Sequence, residues 1–251
     1  MESLIVVAHN PTLVRNAIRS ERHAELAEHS PDRISYYITA AYLKVIYRLA
    51  TSGEAVTTGV LAQELGVSSP SASAMAERLV GEHLLERPEG AGLRLTAEGE
   101  RIALRVVRRH RLLETFLLRV LNIPWDEVHA EAELLEHVLS ERLEERIDAV
   151  LGHPTRDPHG DPIPPRSGRH DEDWGDPLAA APAGSRFRVD RVSDRHSAAL
   201  RHLGELGIVP GAVLEVEEQE PFGGPRWVQV AGRRHALGDP LVQLVHGRIE
   251  R

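Results

Sequence analysis

Seven of the sixteen prolines stand between residues 152 and 184, at 154, 158, 162, 164, 165, 177 and 182, and this stretch divides the chain. Proline fixes φ and has no amide donor, so neither a helix interior nor a central strand runs through such a segment. Residues 153–184 read as an extended, exposed Pro-rich linker. Before the linker, apolar residues recur at helical spacing; after it they are arranged as in short strands. The expected architecture is mainly α with a small β module.

Within the helical part, Tyr42, Val45, Ile46 and Leu49 share one face between Thr39 and Thr51. Val60, Leu61 and Leu65 mark a short helix that stops at Gly66. Ser69 is the expected N-cap of a third helix, with Pro70 in its first turn and Met75, Leu79 and Val80 on its apolar side. Leu84–Arg87 and Leu93–Thr96 flank Glu89-Gly90-Ala91-Gly92 as a hairpin. Helix, short helix, tight turn, helix and hairpin predict a winged helix-turn-helix over residues 35–102. A long helix follows from about Ala97 to Leu121, stopped by Pro124, and another from about Asp126 to Leu151, stopped by Gly152; residues 103–152 form a separate helical domain. Residues 185–251 hold strands at 186–192, 213–217, 226–230 and 241–249, with one helix, Ser197–Leu206, between them. They predict a small barrel. Residues 1–34 are an N-terminal extension with a candidate strand, Leu4–Ala8, and a candidate helix or arm, Leu13–Glu28.

The third helix opens with small polar side chains, Ser68, Ser69, Ser71 and Ser73 around Pro70. A helix entering the major groove needs such residues at its exposed start, because base edges must approach closely. Arg78, two turns on, is placed to reach a phosphate, and Arg87 and Arg94 on the hairpin to contact the DNA backbone. Yet residues 35–102 hold six basic and eight acidic residues, and the whole chain carries a formal charge of −8. That balance argues against nonspecific polycation binding and predicts weak DNA affinity unless something else alters geometry or charge.

A second constellation supplies a candidate. His129, Glu133, Glu136 and His137 lie on one stripe of a helix, and His110 and Glu114 are four apart on the helix before it. Packed antiparallel, the two helices bring three imidazoles and three carboxylates together among leucines, where a divalent cation would balance the charge. The chain has no cysteine, so thiolate sites and disulfides are excluded. The plainer alternative is a solvated face making salt links to Arg108, Arg109, Arg111 and Arg142. A di-iron carboxylate enzyme fits less well, since no second helix repeats a Glu-x-x-His pair.

These residues resemble the diphtheria-toxin-repressor family of metal-dependent regulators, from about Ser35 to Ile249. The resemblance is carried by Arg109-His110-Arg-Leu-Leu-Glu114, by Val128-His129-x-Glu-x-Glu133-x-x-Glu136-His137 and by Pro158-His-Gly-Asp-Pro162-Ile-Pro164. It implies a homodimer whose winged helix binds a palindromic double-stranded operator when Mn(II) or Fe(II) is bound. It also implies a helical metal-binding and dimerisation domain and an SH3-like, FeoA-like barrel at the C-terminus. By motif, Glu133, Glu136 and His137 match the activating metal site, and His110, Glu114 and His129 the ancillary one. Asp194 and His196 are the nearest ligands offered by the barrel. Ser68, Pro70, Ser71, Ser73, Arg78 and Arg94 are the expected DNA-binding residues, with Ala74 where a relative has a glutamine.

Two departures from the family pattern stand out. Iron-type members have a Cys where this chain has Glu133, and the hard oxygen favours Mn(II), with Fe(II) the alternative. Zn(II) or Co(II) is expected to substitute in vitro. At Ala41 relatives supply a Met or Asp ligand; Glu21, His23 and Glu25 are available replacements. Metal is expected to draw the first helix and the helical pair together. The rivals are a DNA-binding protein with purely structural metals and a His/Glu metalloenzyme; no separate catalytic constellation supports the latter, so a non-enzyme is expected. No stretch approaches the roughly 18–20 apolar residues of a membrane span, and no secretory signal pattern is present, which predicts a cytoplasmic protein.

Overall fold

The computed structural model describes residues 31–90, 92–168 and 172–250. The candidate strand and helix of residues 1–30, with Glu21, His23 and Glu25, lie outside the described residues. Contacts divide the described residues into two compact units: one runs from 31 to 109 and includes 164–168, the other comprises 110–163 and 172–250. None of the described helices is long and apolar enough to cross a membrane.

The first unit begins with α1 (Pro31–Thr51), which starts eight residues earlier than its apolar face. Proline is tolerated in a first helical turn, where its missing amide would be unpaired anyway. Helix α2 (Thr58–Glu64) is capped by Thr57, whose side chain accepts from Val60 N. Helix α3 (Ser69–Gly81) is capped by Ser68, one residue before the expected cap, with Ser68 Oγ accepting from Ser71 N. Strands β1 (Leu85–Glu86) and β2 (Arg94–Leu95) pair antiparallel as the wing. Leu43, Ile46, Leu49, Leu61, Leu79 and Leu104 form the dry core. Gly92 lies so close to the Val56 backbone that a Cβ would strike it, and Leu93 N donates to Val56 O at 2.8 Å. The wing is thereby tied to the loop before α2.

Helix α4 (Ala97–Leu121) follows, ending before Pro124 as its spacing predicts. The single helix expected over 126–151 is instead two, α5 (Val128–Leu135) and α6 (Glu141–Val150). No proline or glycine marks the break. Ser140 makes it, by accepting from Leu143 N and capping α6. Leu112, Leu117, Val128, Ala132, Leu139, Ile147 and Ile163 fill the core here.

Residues 153–184 correct the expectation of an exposed linker. Asp157, His159, Asp161, Ile163 and Leu178 are all buried, and Arg156 bridges Pro162. Prolines carry no amide to satisfy, which lets an irregular segment pack without a full ladder. The barrel sheet then runs β3 (Asp176–Pro177), β4 (Arg186–Val192), β5 (Val213–Gln219), β6 (Arg226–Val230), β7 (Arg233–Leu237) and β8 (Val245–Ile249), in the order β3-β8-β4-β5-β6-β7, all pairs antiparallel. Helix α7 (Ser197–Glu205) packs Leu200 and Leu203 inward beside Phe187, Val189 and Val228. Two strand expectations change. Residues 241–249 begin as the end of a short helix, α8 (Asp239–Val242), with Pro240 in its first turn. Strand β7 was not expected, since Arg233-Arg234-His235 is polar throughout, as an edge strand can be.

Candidate metal centre

Helix α4 places His110 and Glu114 one turn apart on its buried side, and α5 brings His129 against them. His110 Nε2 is 2.9 Å from Glu114 Oε1, and His129 Nδ1 is 3.1 Å from the same oxygen. The two imidazoles meet edge to face with centroids 4.8 Å apart. Asp194, just beyond β4, completes this group with Oδ2 at 2.9 Å from His129 Nδ1. Ligand atoms of His110, Glu114, His129 and Asp194 all lie within 4.8 Å of one another.

A second group grows from the other side of the same ring. His110 Nδ1 is 2.6 Å from Glu136 Oε2 and 4.0 Å from Glu133 Oε1. The helix break after Leu135 accompanies this placement, with Glu136 buried at the end of α5 while Glu133 is half-buried. His137 is adjacent, Nε2 3.4 Å from Glu136 Oε1, but is outside the tight set of His110, Glu133 and Glu136. His196 stands at the exposed N-cap of α7 and belongs to none of the three groups.

A third group joins Glu114 of α4 to Asp157 and His159 from the segment read as linker. Sequence reasoning singled out its Pro158-His-Gly-Asp stretch only as a family motif; the signal was polar side chains spaced between prolines. His159 is fully buried, and its Nε2 is 2.7 Å from Trp125 O. In the neutral ring that bond leaves Nδ1 with the lone pair, 3.8 Å from Glu114 Oε2. Asp157 Oδ1 accepts from the amides of His159 and Asp161, both at 2.9 Å.

The residues present fit a divalent cation. Glu114 Oε2, Asp157 Oδ2 and His159 Nδ1 are buried without a hydrogen-bond partner. Each such atom costs about 1–3 kcal/mol unless something compensates. All three are ligand atoms, and they converge. The donors are carboxylate and imidazole, which suit hard to borderline ions. In the metal-free protein, protons occupy part of this role. Burial disfavours the His129 imidazolium, but Asp194 and Glu114 outweigh it and hold the ring well above its ordinary value. Burial likewise opposes His159, yet facing Glu114, Asp157 and Asp194 push it up to about 10. Burial and the Glu114 charge push Asp157 up to about 7. Burial works against the charged forms of Glu114 and Asp194 too; His110 and its neighbouring imidazoles keep Glu114 well below the usual range, and His129 does so for Asp194.

The expected DNA-contacting residues lie on α3 and the wing. Pro70 and Ser71 are exposed on the first turn of α3, and Ser68 Oγ and Ser71 Oγ are 2.8 Å apart. Ser73 is half-buried. Arg78 donates to Ser35 and Thr39 and pairs with Glu82 at 3.1 Å, so it is held along α1 rather than extended. Arg94 is exposed on β2, and Arg87 pairs with Glu77 at 3.2 Å.

Known proteins match along most of the chain. Residues 38–92 match the N-terminal DNA-binding domain of iron-dependent repressors, 96–165 their metal-binding and dimerisation domain, and 177–248 the FeoA domain. The iron-dependent repressor IdeR of Mycobacterium tuberculosis is 37% identical over 199 residues, covering 74% of this chain and 86% of that protein. A solved manganese-dependent transcriptional repressor in complex with manganese is 41% identical with a TM-score of 0.78, covering 84% of this chain and 100% of that one. The repressor ScaR with bound Zn(II) is 31% identical with a TM-score of 0.74, covering 84% of this chain and 98% of that one.

Proposed function

Because the chain belongs to the diphtheria-toxin-repressor family of iron- and manganese-dependent transcriptional regulators, we propose that it binds a palindromic operator as a homodimer when Mn(II) is bound around His110. The observation that carries this reading is the convergence of buried imidazoles and carboxylates on Glu114, with three ligand atoms lacking hydrogen-bond partners. Mn(II) is favoured over Fe(II) by the all-oxygen-and-nitrogen donor set and by Glu133 in place of the family's cysteine; Zn(II) and Co(II) bind such ligands in vitro as well. The reading as a regulator rather than an enzyme rests on the family, and a cytoplasmic location on its DNA partner.

A bound divalent cation supplies the positive charge that joins these carboxylates and imidazoles. His110, Glu133 and Glu136, with His137 adjacent, hold one ion. Glu114, with His129 and Asp194 or with Asp157 and His159, holds another. Residues 35–102 read the operator: Pro70, Ser71 and Ser73 at the start of α3 approach base edges, and Ser68, Arg78 and Arg94 contact the backbone. Leu134, Leu135, Val138 and Leu143, exposed on α5, the turn after it and α6, offer apolar surface to a second copy. Ligand residues act on DNA binding only so far as they hold metal more tightly in the DNA-competent state.

The test is a titration of an operator selected from random duplex DNA by the Mn(II)-loaded protein. Affinity is expected to rise with Mn(II) and to fall on chelation. Glu133→Ala with His137→Ala is expected to abolish the response while the fold is kept. Unchanged affinity with every metal and with chelator overturns the reading.

A further inference from the structure

Arg191 is a cation sealed inside the second unit, 3% exposed, and none of the three ligand groups includes it. It points inward because β4 carries a bulge. The register with β8 shifts between Val189 and Arg191, so Arg191 and Val192 are both buried where strict alternation would expose one of them. Its guanidinium lies over the Trp174 ring, 3.2 Å from the centroid, and Trp174 meets His246 edge-on. From that position it pairs with Asp161, itself buried.

Asp161 ends the turn that carries Asp157 and His159, and Asp194 lies three residues past Arg191. The turn is laid directly on β4. Val192 N donates to His159 O at 2.8 Å. Gly160, at φ +92, meets the Asp190 carbonyl and the Arg191 Cα so closely that a Cβ has no room. Asp157 N donates back to Asp161 O at 2.9 Å, closing the turn on itself. Ligands from two separate segments are therefore registered to one another by this ion pair and the backbone contacts beside it.

Resting on the metal-centre reading above, we propose that Arg191 is a positioning residue of that centre. Its ion pair with Asp161 holds the 157–161 turn against β4, so that Asp157, His159 and Asp194 converge on Glu114. Arginine suits the place because a planar guanidinium stacks on Trp174 with its face while one edge reaches a carboxylate. Lysine keeps the charge and loses the stack. Groups that orient metal ligands without touching the ion typically change affinity 10–100-fold when removed.

The experiment is a Mn(II) titration of the full chain, stripped of metal, followed by the electron paramagnetic resonance of free Mn(II) and by calorimetry. Wild type is expected to bind two ions, and failure to bind any sinks the metal-centre reading rather than this proposal. Arg191→Met is expected to weaken one ion about 10–100-fold and leave the ion held by Glu133 and Glu136 unchanged. Arg191→Lys is expected to recover part of the loss. Asp161→Asn is expected to match Arg191→Met, and the double variant to be no weaker than either. Wild-type affinity for both ions in Arg191→Met overturns the proposal whatever happens to its melting temperature. If Arg191→Met does not fold, wild-type affinity in Asp161→Asn overturns it instead.

Discussion

Both units bury apolar cores, but they differ in how much charge they bury with them. In the winged unit the core is leucine, isoleucine, valine, alanine and tyrosine, and its buried polar residues, among those described, are Thr39 on α1 and, at its boundary on α4, Arg108 and Arg109. In the second unit His110, Arg111, Glu114, Asp126, Glu136, Asp157, His159, Asp161 and Arg191 are all buried. Apolar packing stabilises a fold by itself. Buried charge does so only when its partners are present, so it responds to whatever changes those partners. The reading head is built to be constant, and the helical and barrel unit to be conditional on its surroundings.

The largest expected effect breaks the two units apart. Glu114→Ala removes the carboxylate shared by two groups and should weaken Mn(II) binding more than about 100-fold. Circular dichroism should still report a folded chain, since the imidazoles that lose Glu114 can give up their protons and stay buried as neutral rings. Leu79→Ala in the winged core should do the reverse. It should cost about 2–5 kcal/mol in denaturant unfolding while the folded fraction keeps its full Mn(II) stoichiometry.

The pH dependence sharpens the contrast. His159, pushed up to about 10, holds a proton at neutral pH that metal must displace. Asp157, pushed up to about 7, holds a second one in acid. Mn(II) affinity should therefore fall about tenfold per pH unit between pH 9 and 8, and more steeply below pH 7. Both folded values lie above the unfolded ones, so these groups stabilise the metal-free unit at low pH. That stabilisation is lost as pH rises through about 7 for Asp157 and about 10 for His159. The rise in melting temperature on adding Mn(II) should accordingly be larger at pH 9 than at pH 6. An equal rise at both would show that neither proton is displaced.

The smallest effect tests the constant unit. Ser68→Ala deletes the cap of α3 and should cost about 1 kcal/mol, measured by denaturant unfolding, with Mn(II) affinity unchanged.

The same contrast explains what was legible in the sequence. The winged unit could be read because its helices bury one apolar stripe each, and Pro70 and Gly66 punctuate them. In the second unit, His110, Glu114, His129 and Glu136 were readable from helical spacing, since α4 and α5 keep that period across all four. Asp157 and His159 were not. Their prolines signal irregular backbone, and irregular backbone is usually exposed; what buries this turn is its long-range seat on β4. The break at 136–140 was hidden for a similar reason. Leu134, Leu135, Val138 and Leu139 continue an apolar pattern, and the stop lies in how Ser140 is used. His196 was drawn in by proximity in sequence to Asp194, but the N-terminus of α7 turns it outward.

His110 has a further consequence. One ring nitrogen faces Glu136 at 2.6 Å and the other faces Glu114 at 2.9 Å. A neutral imidazole offers an electron pair on one side and a hydrogen on the other. Whichever cluster receives the pair, the opposite carboxylate gains a donor instead. Filling one cluster therefore fixes the tautomer that the other meets, while Glu114 keeps His129, Asp157, His159 and Asp194 as its own company.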